Sequence, residues 1–92
     1  MVTLGCDVTP RWHRGVKLPM DFRSLSYEPI IEGNTPEKFG HLCRLAIQQT
    51  QKNSSETKAI FINAWNEWTE GMYLLPEKRY GTAYLESLRK AL

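Results

Sequence analysis

The sequence lacks a long apolar run, a targeting segment and a strong net charge, and each shortage excludes a class of protein. No segment approaches the roughly 20 consecutive apolar residues of a membrane-spanning helix, and the amino terminus has no basic region followed by an apolar core. We therefore expect no membrane span and a cytoplasmic location. The net charge of +2 comes from scattered Lys and Arg residues, which argues against a nucleic-acid partner.

The chain also lacks the motifs of several common enzyme classes. Its two cysteines, Cys6 and Cys43, have no CxxC spacing, which predicts two small buried thiols in a reducing compartment and leaves a single disulfide as the alternative. It contains no Cys/His cluster, no HExxH sequence, no Gly-rich phosphate loop and no GxSxG elbow. We therefore expect no metal and no cofactor.

The hydrophobic pattern of the 92 residues predicts one α/β unit with the order β-α-β-α. A weak alternation predicts a strand at about 1–5. An unbroken β-branched and aromatic run predicts a second strand at about 59–64, covered on both faces. Helices with one apolar face are predicted at about 36–52 and 81–92, and the crossover between the strands should be right-handed.

The first helix has the clearest start signal in the chain. Thr35 is a good amino-terminal cap, Pro36 fits the first helical position, and Glu37 complements the helix dipole. The spacing of apolar residues predicts a buried stripe made of Phe39, Leu42, Cys43, Ala46 and Ile47. The apolar face of the second helix is predicted to consist of Tyr84, Leu85, Leu88 and Leu92.

A long connection at 8–34 separates the first strand from the first helix and has no sustained period. Connections of that length without structure are uncommon unless they cover an active site. We interpret it as such a cover, because it leaves the same end of the sheet as Glu67. A mobile linker is the alternative.

The end of the second strand leads into a segment, 65–79, that carries polar and titratable side chains in the position where α/β sheets and barrels place their active sites, and we predict a catalytic-type loop there. Glu67 and Glu70 are three residues apart there. A straight strand would place the two carboxylates on opposite sides, whereas a helical turn would bring them to one pocket. In a shared pocket one carboxyl stays neutral while the other is ionised, and cleavage of a glycosidic bond needs that division of labour.

The side chains beside the two acids suit a sugar ligand. The indoles of Trp65 and Trp68 can pack on the C–H face of a pyranose, and the Asn66 amide can form hydrogen bonds with hydroxyls. The structural alternative is that the indoles fill a core and that the two acids are solvated or paired with nearby basic residues. Glutamate pairs are common on protein surfaces, so the residues alone leave both interpretations open.

Two segments resemble a known family. The first is N-A-W-N-E-W-T-E-G at 63–71, continued by Leu74, Pro76, Tyr80-Gly81 and Tyr84-Leu85, and the second is G-C-D-V-T-P-R at 5–11. They resemble the closing segment and the preceding strand-end motif, usually G-W-D-x-T-P-R, of the WbsX-like proteins. Those proteins are labelled glycosyltransferases or lipopolysaccharide-biosynthesis proteins, and they are related to the family 99 glycoside hydrolases, the endo-α-mannosidase family.

The resemblance implies a (β/α)8 TIM barrel that acts on a carbohydrate or glycan. A complete barrel needs about 250 residues, so the chain would be a carboxyl-terminal fragment that supplies the last two βα units. Glu67 would be the base that helps the sugar's own 2-hydroxyl attack the anomeric carbon, and Glu70 the general acid/base on the leaving oxygen. No metal is implied. The residues assigned to substrate binding are Asp7, Arg11, Trp65, Asn66, Trp68 and Tyr73.

Two positions depart from the family pattern. Cys6 replaces a Trp, which removes a stacking ring, and Leu75 replaces an acidic residue, which removes a hydrogen bond to a hydroxyl. Much of the substrate would be held by the missing strands, so we expect the fragment alone to be inactive. Its exposed sheet edges would invite self-association. The alternatives are a non-catalytic remnant or carbohydrate-binding piece, and a structural α/β module without a ligand.

Overall fold

A computed structural model describes residues 1–7 and 30–92, which form a mixed α/β unit. The predicted α/β class is confirmed at this level. Within these residues, no helix has both the length and the apolar character needed to cross a membrane. The elements in chain order are β1 (Val2–Thr3), α1 (Pro36–Lys52), β2 (Ile62–Asn63), β3 (Asn66–Glu67), a 3-10 turn (Trp68–Glu70), β4 (Met72–Tyr73) and α2 (Ala83–Ala91).

β1 and β2 pair in parallel and are both shorter than predicted. Val2 lies opposite Ile62, and the Val2 amide donates a hydrogen bond to the Phe61 carbonyl at 2.8 Å. Because α1 lies between the two strands in the sequence, the connection is a β-α-β crossover. The carboxyl ends of both strands therefore lie at the same edge of the sheet.

The long connection returns to the place where it starts. The Ile31 amide donates a hydrogen bond to the Cys6 carbonyl at 2.8 Å, in an isolated antiparallel bridge. This bridge holds the two ends of the segment 7–30 side by side. Most of the predicted active-site cover, residues 8–29, lies outside the described residues.

α1 begins and ends at the residues that the sequence predicts. The Thr35 hydroxyl accepts a hydrogen bond from the Lys38 amide at 3.3 Å, and Pro36 occupies the first turn. Hydrogen bonds from the backbone and from the Thr35 side chain hold the pKa of Glu37 below its usual range. The local chemistry of three consecutive residues thus defines where the helix starts.

The core lies where the two helices meet each other and the parallel strands. Tyr84 of α2 packs edge-on against Phe39 of α1, with 5.5 Å between the ring centroids. Burial raises the pKa of the Cys43 thiol and of the Tyr84 hydroxyl, because an anion there would lose its hydration. The buried members of this core are Val2, Leu4, Phe39, Cys43, Leu74 and Tyr84.

The prediction that the second strand is covered on both faces was wrong. Ile60 and Ile62 pack against the core, whereas Phe61, between them, is 73% exposed. Alternate residues of a strand lie on opposite faces, so the helices can cover only one of the two faces of β2.

Three further burial predictions were also wrong. Leu42 of α1 is 41% exposed, because it lies at the margin of the buried stripe, where Phe39 and Cys43 contact the core. Leu92 is 87% exposed, because α2 ends one residue before it. Cys6 follows the end of β1 and is half-buried, and no disulfide joins it to the buried Cys43.

Candidate functional site

The segment predicted as a catalytic-type loop, 65–79, contains a tight β-hairpin. β3 pairs antiparallel with β4, and Glu67 lies opposite Met72. The amides of Leu74 and Leu75 both donate to the Trp65 carbonyl, at 3.0 and 3.2 Å, which closes the base of the hairpin. The sequence analysis missed these strands, because two residues are too few to produce a detectable alternation.

A single 3-10 turn, Trp68–Glu70, connects β3 to β4 and ends at Gly71. The Gly71 amide donates to the Trp68 carbonyl at 3.2 Å. Gly71 has a φ of +64°, a left-handed conformation that glycine adopts without the steric cost of a Cβ atom. The glycine of the N-E-W-T-E-G motif therefore allows the chain to leave the turn and enter β4.

The two candidate catalytic acids lie at the two ends of this turn. Glu67 is the last residue of β3, Glu70 is the last residue of the turn, and both are half-buried. Glu67 precedes the 3-10 turn and has non-helical backbone angles, φ −83° and ψ 74°. The Thr69 hydroxyl donates a hydrogen bond to Glu67 Oε1 at 2.7 Å.

Asp7 at the end of the first strand contacts the hairpin. Its amide donates a hydrogen bond to the Glu70 carbonyl at 2.7 Å. A Cβ atom placed on Gly71 would lie 3.6 Å from the Cβ atom of Asp7. The structure therefore brings one predicted substrate-binding residue next to one predicted catalytic residue. Arg11 lies outside the described residues.

The indoles of the motif lie on the surface. Trp65 is 56% exposed and Trp68 is 46% exposed. Trp68 stacks on Tyr73 with 4.3 Å between ring centroids and 26° between ring planes. Asn66, opposite Tyr73 in the hairpin, is exposed as well. The interpretation that these indoles fill the core is therefore wrong.

Asn63 is a polar residue of this region that the sequence analysis did not assign to the site. Its Nδ2 atom donates to the Met72 sulfur at 3.0 Å, and its Oδ1 atom is buried without a hydrogen-bond partner. The peptide bond from Asn63 to Ala64 is cis. The signal available in the sequence was an amide side chain at the end of the apolar run 59–62.

Among residues 1–7 and 30–92, no three His, Cys, Asp or Glu side chains are grouped as they would be around a metal ion.

One family model and two curated relatives match this sequence. A family model described as "Glycosyltransferase WbsX" matches residues 9–88. Two curated relatives, both named "Uncharacterized protein WxcX", come from two strains of Xanthomonas campestris pv. campestris. Each is 39% identical over 59 residues, a stretch that makes up 63% of this chain and 8% of the relative. The chain thus spans less than a tenth of the length of these relatives.

No solved structure matches the chain. The family model, in contrast, covers most of the sequence and includes the entire hairpin. The chain therefore belongs to the WbsX glycosyltransferase family.

Proposed function

We propose that this chain is the carboxyl-terminal part of a carbohydrate-active enzyme that cleaves or forms glycosidic bonds in polysaccharide or lipopolysaccharide metabolism. Membership of the WbsX family supports the carbohydrate class. One observation carries the assignment of the site: the hairpin holds Glu67 and Glu70 at the two ends of one turn, beside exposed indoles.

In the proposed first step, the two acids act on opposite sides of the same sugar. Glu67 accepts the proton of the sugar 2-hydroxyl, whose oxygen forms a bond to the anomeric carbon. The bond from that carbon to the leaving oxygen breaks, and Glu70 gives its proton to the leaving oxygen. The intermediate is an epoxide-like anhydro sugar, which carries no bond to the protein.

In the second step the roles of the two acids reverse. Glu70 takes a proton from the acceptor, whose oxygen attacks the anomeric carbon. The bond between the 2-oxygen and the anomeric carbon breaks, and Glu67 returns the proton to the 2-oxygen. When the acceptor is water the reaction is hydrolysis, and when it is a sugar hydroxyl the reaction is transfer.

The exposed side chains of the hairpin have roles in holding the sugar. Trp68, supported from behind by Tyr73, offers a flat apolar surface for the C–H face of a pyranose. Trp65 offers a second exposed surface, and Asn66 offers an amide to the hydroxyls. Asp7 lies beside Glu70 and is proposed to accept a hydrogen bond from a hydroxyl near the leaving oxygen.

We further propose that β1, α1, β2 and α2 are the last two strand–helix units of a (β/α)8 barrel. The parallel pairing of β1 with β2, and the position of the hairpin after the carboxyl end of β2, support this assignment. In such a barrel the other strands would supply most of the substrate pocket. The 92-residue chain alone should therefore have no measurable turnover.

The decisive experiment joins this chain to the amino-terminal strand–helix units of a longer family member and measures turnover of an activated α-glycoside. Glu67→Gln and Glu70→Gln should each lower kcat by about 100-fold or more, because each removes a proton-transfer group. Glu56→Gln is the matched control, since Glu56 is exposed in the turn after α1. If both hairpin variants keep the turnover of the parent, the assignment fails.

The exposure of Trp65 and Trp68 also favours a second candidate function, a carbohydrate-binding piece without catalysis. In that case glycan binding would be lost in Trp68→Ala and unchanged in both glutamine variants. A structural module without a ligand predicts no NMR chemical-shift change with any saccharide. The turnover and glycan binding of these variants, together with the NMR titration, therefore separate all three functions.

A further inference from the structure

A cavity of about 460 Å³ lies beside the hairpin, between the segment that leads into α1 and the segment that leads into α2. Residues 31–35 contribute to its lining from the first segment, and Glu77, Arg79 and Tyr80 contribute from the second. Its volume falls within the roughly 300–1,000 Å³ of typical ligand pockets. Neither Glu67 nor Glu70 is among the lining residues, whereas Gly71, which follows Glu70, and Tyr73 are, so the cavity adjoins the proposed catalytic turn without including its two acids.

Three tyrosines line the cavity, and their rings are held in place by other rings. Tyr84 is buried and packs edge-on against Phe39. Tyr80 is half-buried and packs edge-on against Tyr84, with 5.7 Å between centroids and 83° between planes. Tyr73 stacks on Trp68. The cavity thus offers aromatic surfaces with hydroxyl groups, a combination that suits the mixed apolar and polar faces of a sugar.

The charged groups in the lining favour a neutral ligand over an anion. The Glu77 carboxylate accepts hydrogen bonds from the amides of Arg79 and Tyr80, so it stabilises the backbone of its own turn. The Arg79 guanidinium lies 5.0 Å from the centroid of the Tyr80 ring, and Glu32 is exposed. Arg79 can donate several hydrogen bonds and Glu32 can accept several, which matches a ligand rich in hydroxyls. Two carboxylates beside one guanidinium would weaken the binding of phosphate.

We propose that this cavity is a saccharide subsite that binds one neutral sugar unit of the glycan, away from the bond that reacts. The proposal rests on the proposed function for the nature of the ligand. Tyr73 connects the two places, because it lines the cavity and its ring contacts Trp68 of the hairpin. A glycan that extends from the hairpin past Tyr73 enters the cavity and stacks on Tyr80. The subsite would select the sugar next to, or beyond, the reacting one.

The test is an NMR titration of the isotope-labelled chain with the methyl α-glycosides of mannose, glucose and galactose. At least one glycoside should shift the amide signals of residues 31–35 and 77–81. Tyr80→Ala should weaken its binding about 5-fold or more, because a stacking surface is lost, and Tyr80→Phe should change it less than about 2-fold.

A second pair of variants tests the charged group and leaves the three tyrosines of the cavity unsubstituted. Arg79→Met should weaken the binding of the same glycoside by about 5-fold, because a charged donor to the hydroxyls is lost. Arg89→Met makes the same chemical change at an exposed position of α2 outside the lining, and it should leave the binding constant unchanged. Equal effects of the two variants would contradict the proposal.

The subsite and the catalytic proposal can fail separately. Chain carrying both Glu67→Gln and Glu70→Gln should bind the glycoside in the cavity as the parent does, even if the turnover experiment shows that the two acids have no catalytic role. The subsite is overturned if Tyr80→Ala leaves binding unchanged, or if no glycoside shifts the cavity signals at its highest soluble concentration. Tighter binding of inorganic phosphate than of any glycoside would overturn it too.

Discussion

At Gly71 the backbone adopts a left-handed conformation, with a φ of +64°, between Glu70 and β4. A side chain with a Cβ atom makes this conformation costly, by roughly 1–2 kcal/mol. Gly71→Ala should lower the free energy of unfolding by about that amount, as measured by urea denaturation. Asn tolerates left-handed φ values better than Ala, so Gly71→Asn should lower the free energy of unfolding less than Gly71→Ala does. Equal stability of the parent and both variants would contradict the role given to this glycine.

The residues of the motif illustrate what a sequence can reveal about a site. Asn66, Glu67 and Glu70 were predicted as site residues because they directly follow an apolar run, in the position where α/β folds place active sites. Their mutual placement was not predictable in detail. It depends on the left-handed backbone at Gly71 and on the hydrogen bond from the Asp7 amide to the Glu70 carbonyl, which joins distant parts of the chain. The sequence did not assign Arg79 and Tyr80 to a cavity, because the cavity forms only when two separate loops meet.

Burial of Cys43 and Tyr84 predicts that the chain loses stability in alkaline solution. Burial raises the pKa of both groups above their ordinary values of 9.0 and 10.0, so the folded state keeps each proton to a higher pH than the unfolded state does. The stabilisation is complete below the unfolded pKa and is lost as the pH rises through the folded pKa. The free energy of unfolding should therefore decline from about pH 9 upward, measured by denaturant titration at a series of pH values.

The variant Tyr84→Phe isolates one of the two contributions. It keeps the ring that packs against Phe39 and removes the hydroxyl that titrates. Above about pH 10 its stability should fall less steeply than that of the parent, because only Cys43 still contributes. If the free energy of unfolding falls equally steeply with pH in the two proteins, the Tyr84 hydroxyl does not contribute to the pH dependence.

At the scale of single elements, one hydroxyl contributes to the start of α1. The Thr35 side chain accepts the Lys38 amide, which would otherwise have no partner at the helix terminus. Thr35→Ala should lower the free energy of unfolding by about 1 kcal/mol, and Thr35→Ser should restore most of it because it keeps the accepting oxygen. Circular dichroism during denaturation measures the free energy of unfolding of both variants. A serine variant as unstable as the alanine variant would show that the cap is not responsible.

The elements differ in how well the sequence predicts them, and the difference has a physical cause. The bounds of α1 follow from local chemistry, a capping hydroxyl and a proline, together with an apolar stripe inside a helix of 17 residues. β3 and β4 have two residues each, and their pairing depends on the turn between them and on the Trp65 carbonyl. Short elements that are stabilised by partners elsewhere leave no periodic pattern to detect.

For the whole molecule, the exposure of Phe61 predicts association of the chain with itself. Phe61, the residue before β2, is 73% exposed, and Leu45 of α1 is 47% exposed. β1 and β2 pair only with each other among the described strands, so each also has an open edge. Phe61→Lys should reduce the fraction of dimers and larger species in analytical ultracentrifugation, because it replaces an exposed apolar side chain with a charge.

The control for this experiment adds the same charge at a place without an apolar surface. Ser55→Lys, in the exposed turn after α1, should leave the sedimentation distribution as it is in the parent. If both variants reduce association equally, net charge is the cause and the surface around Phe61 is not. The sequence could not have predicted this surface, because burial depends on which neighbours cover a strand and not on the strand's own residues.

The hydrogen bond from the Ile31 amide to the Cys6 carbonyl has a consequence for changes of chain length between these two residues. It joins the chain just after β1 to the chain just before α1, so the two elements are held together whatever the number of residues between them. Each doubling in the length of a loop closed in this way costs only about 0.6 kcal/mol of chain entropy. Insertions between Cys6 and Ile31 should therefore lower the stability of the β1–α1 scaffold only slightly.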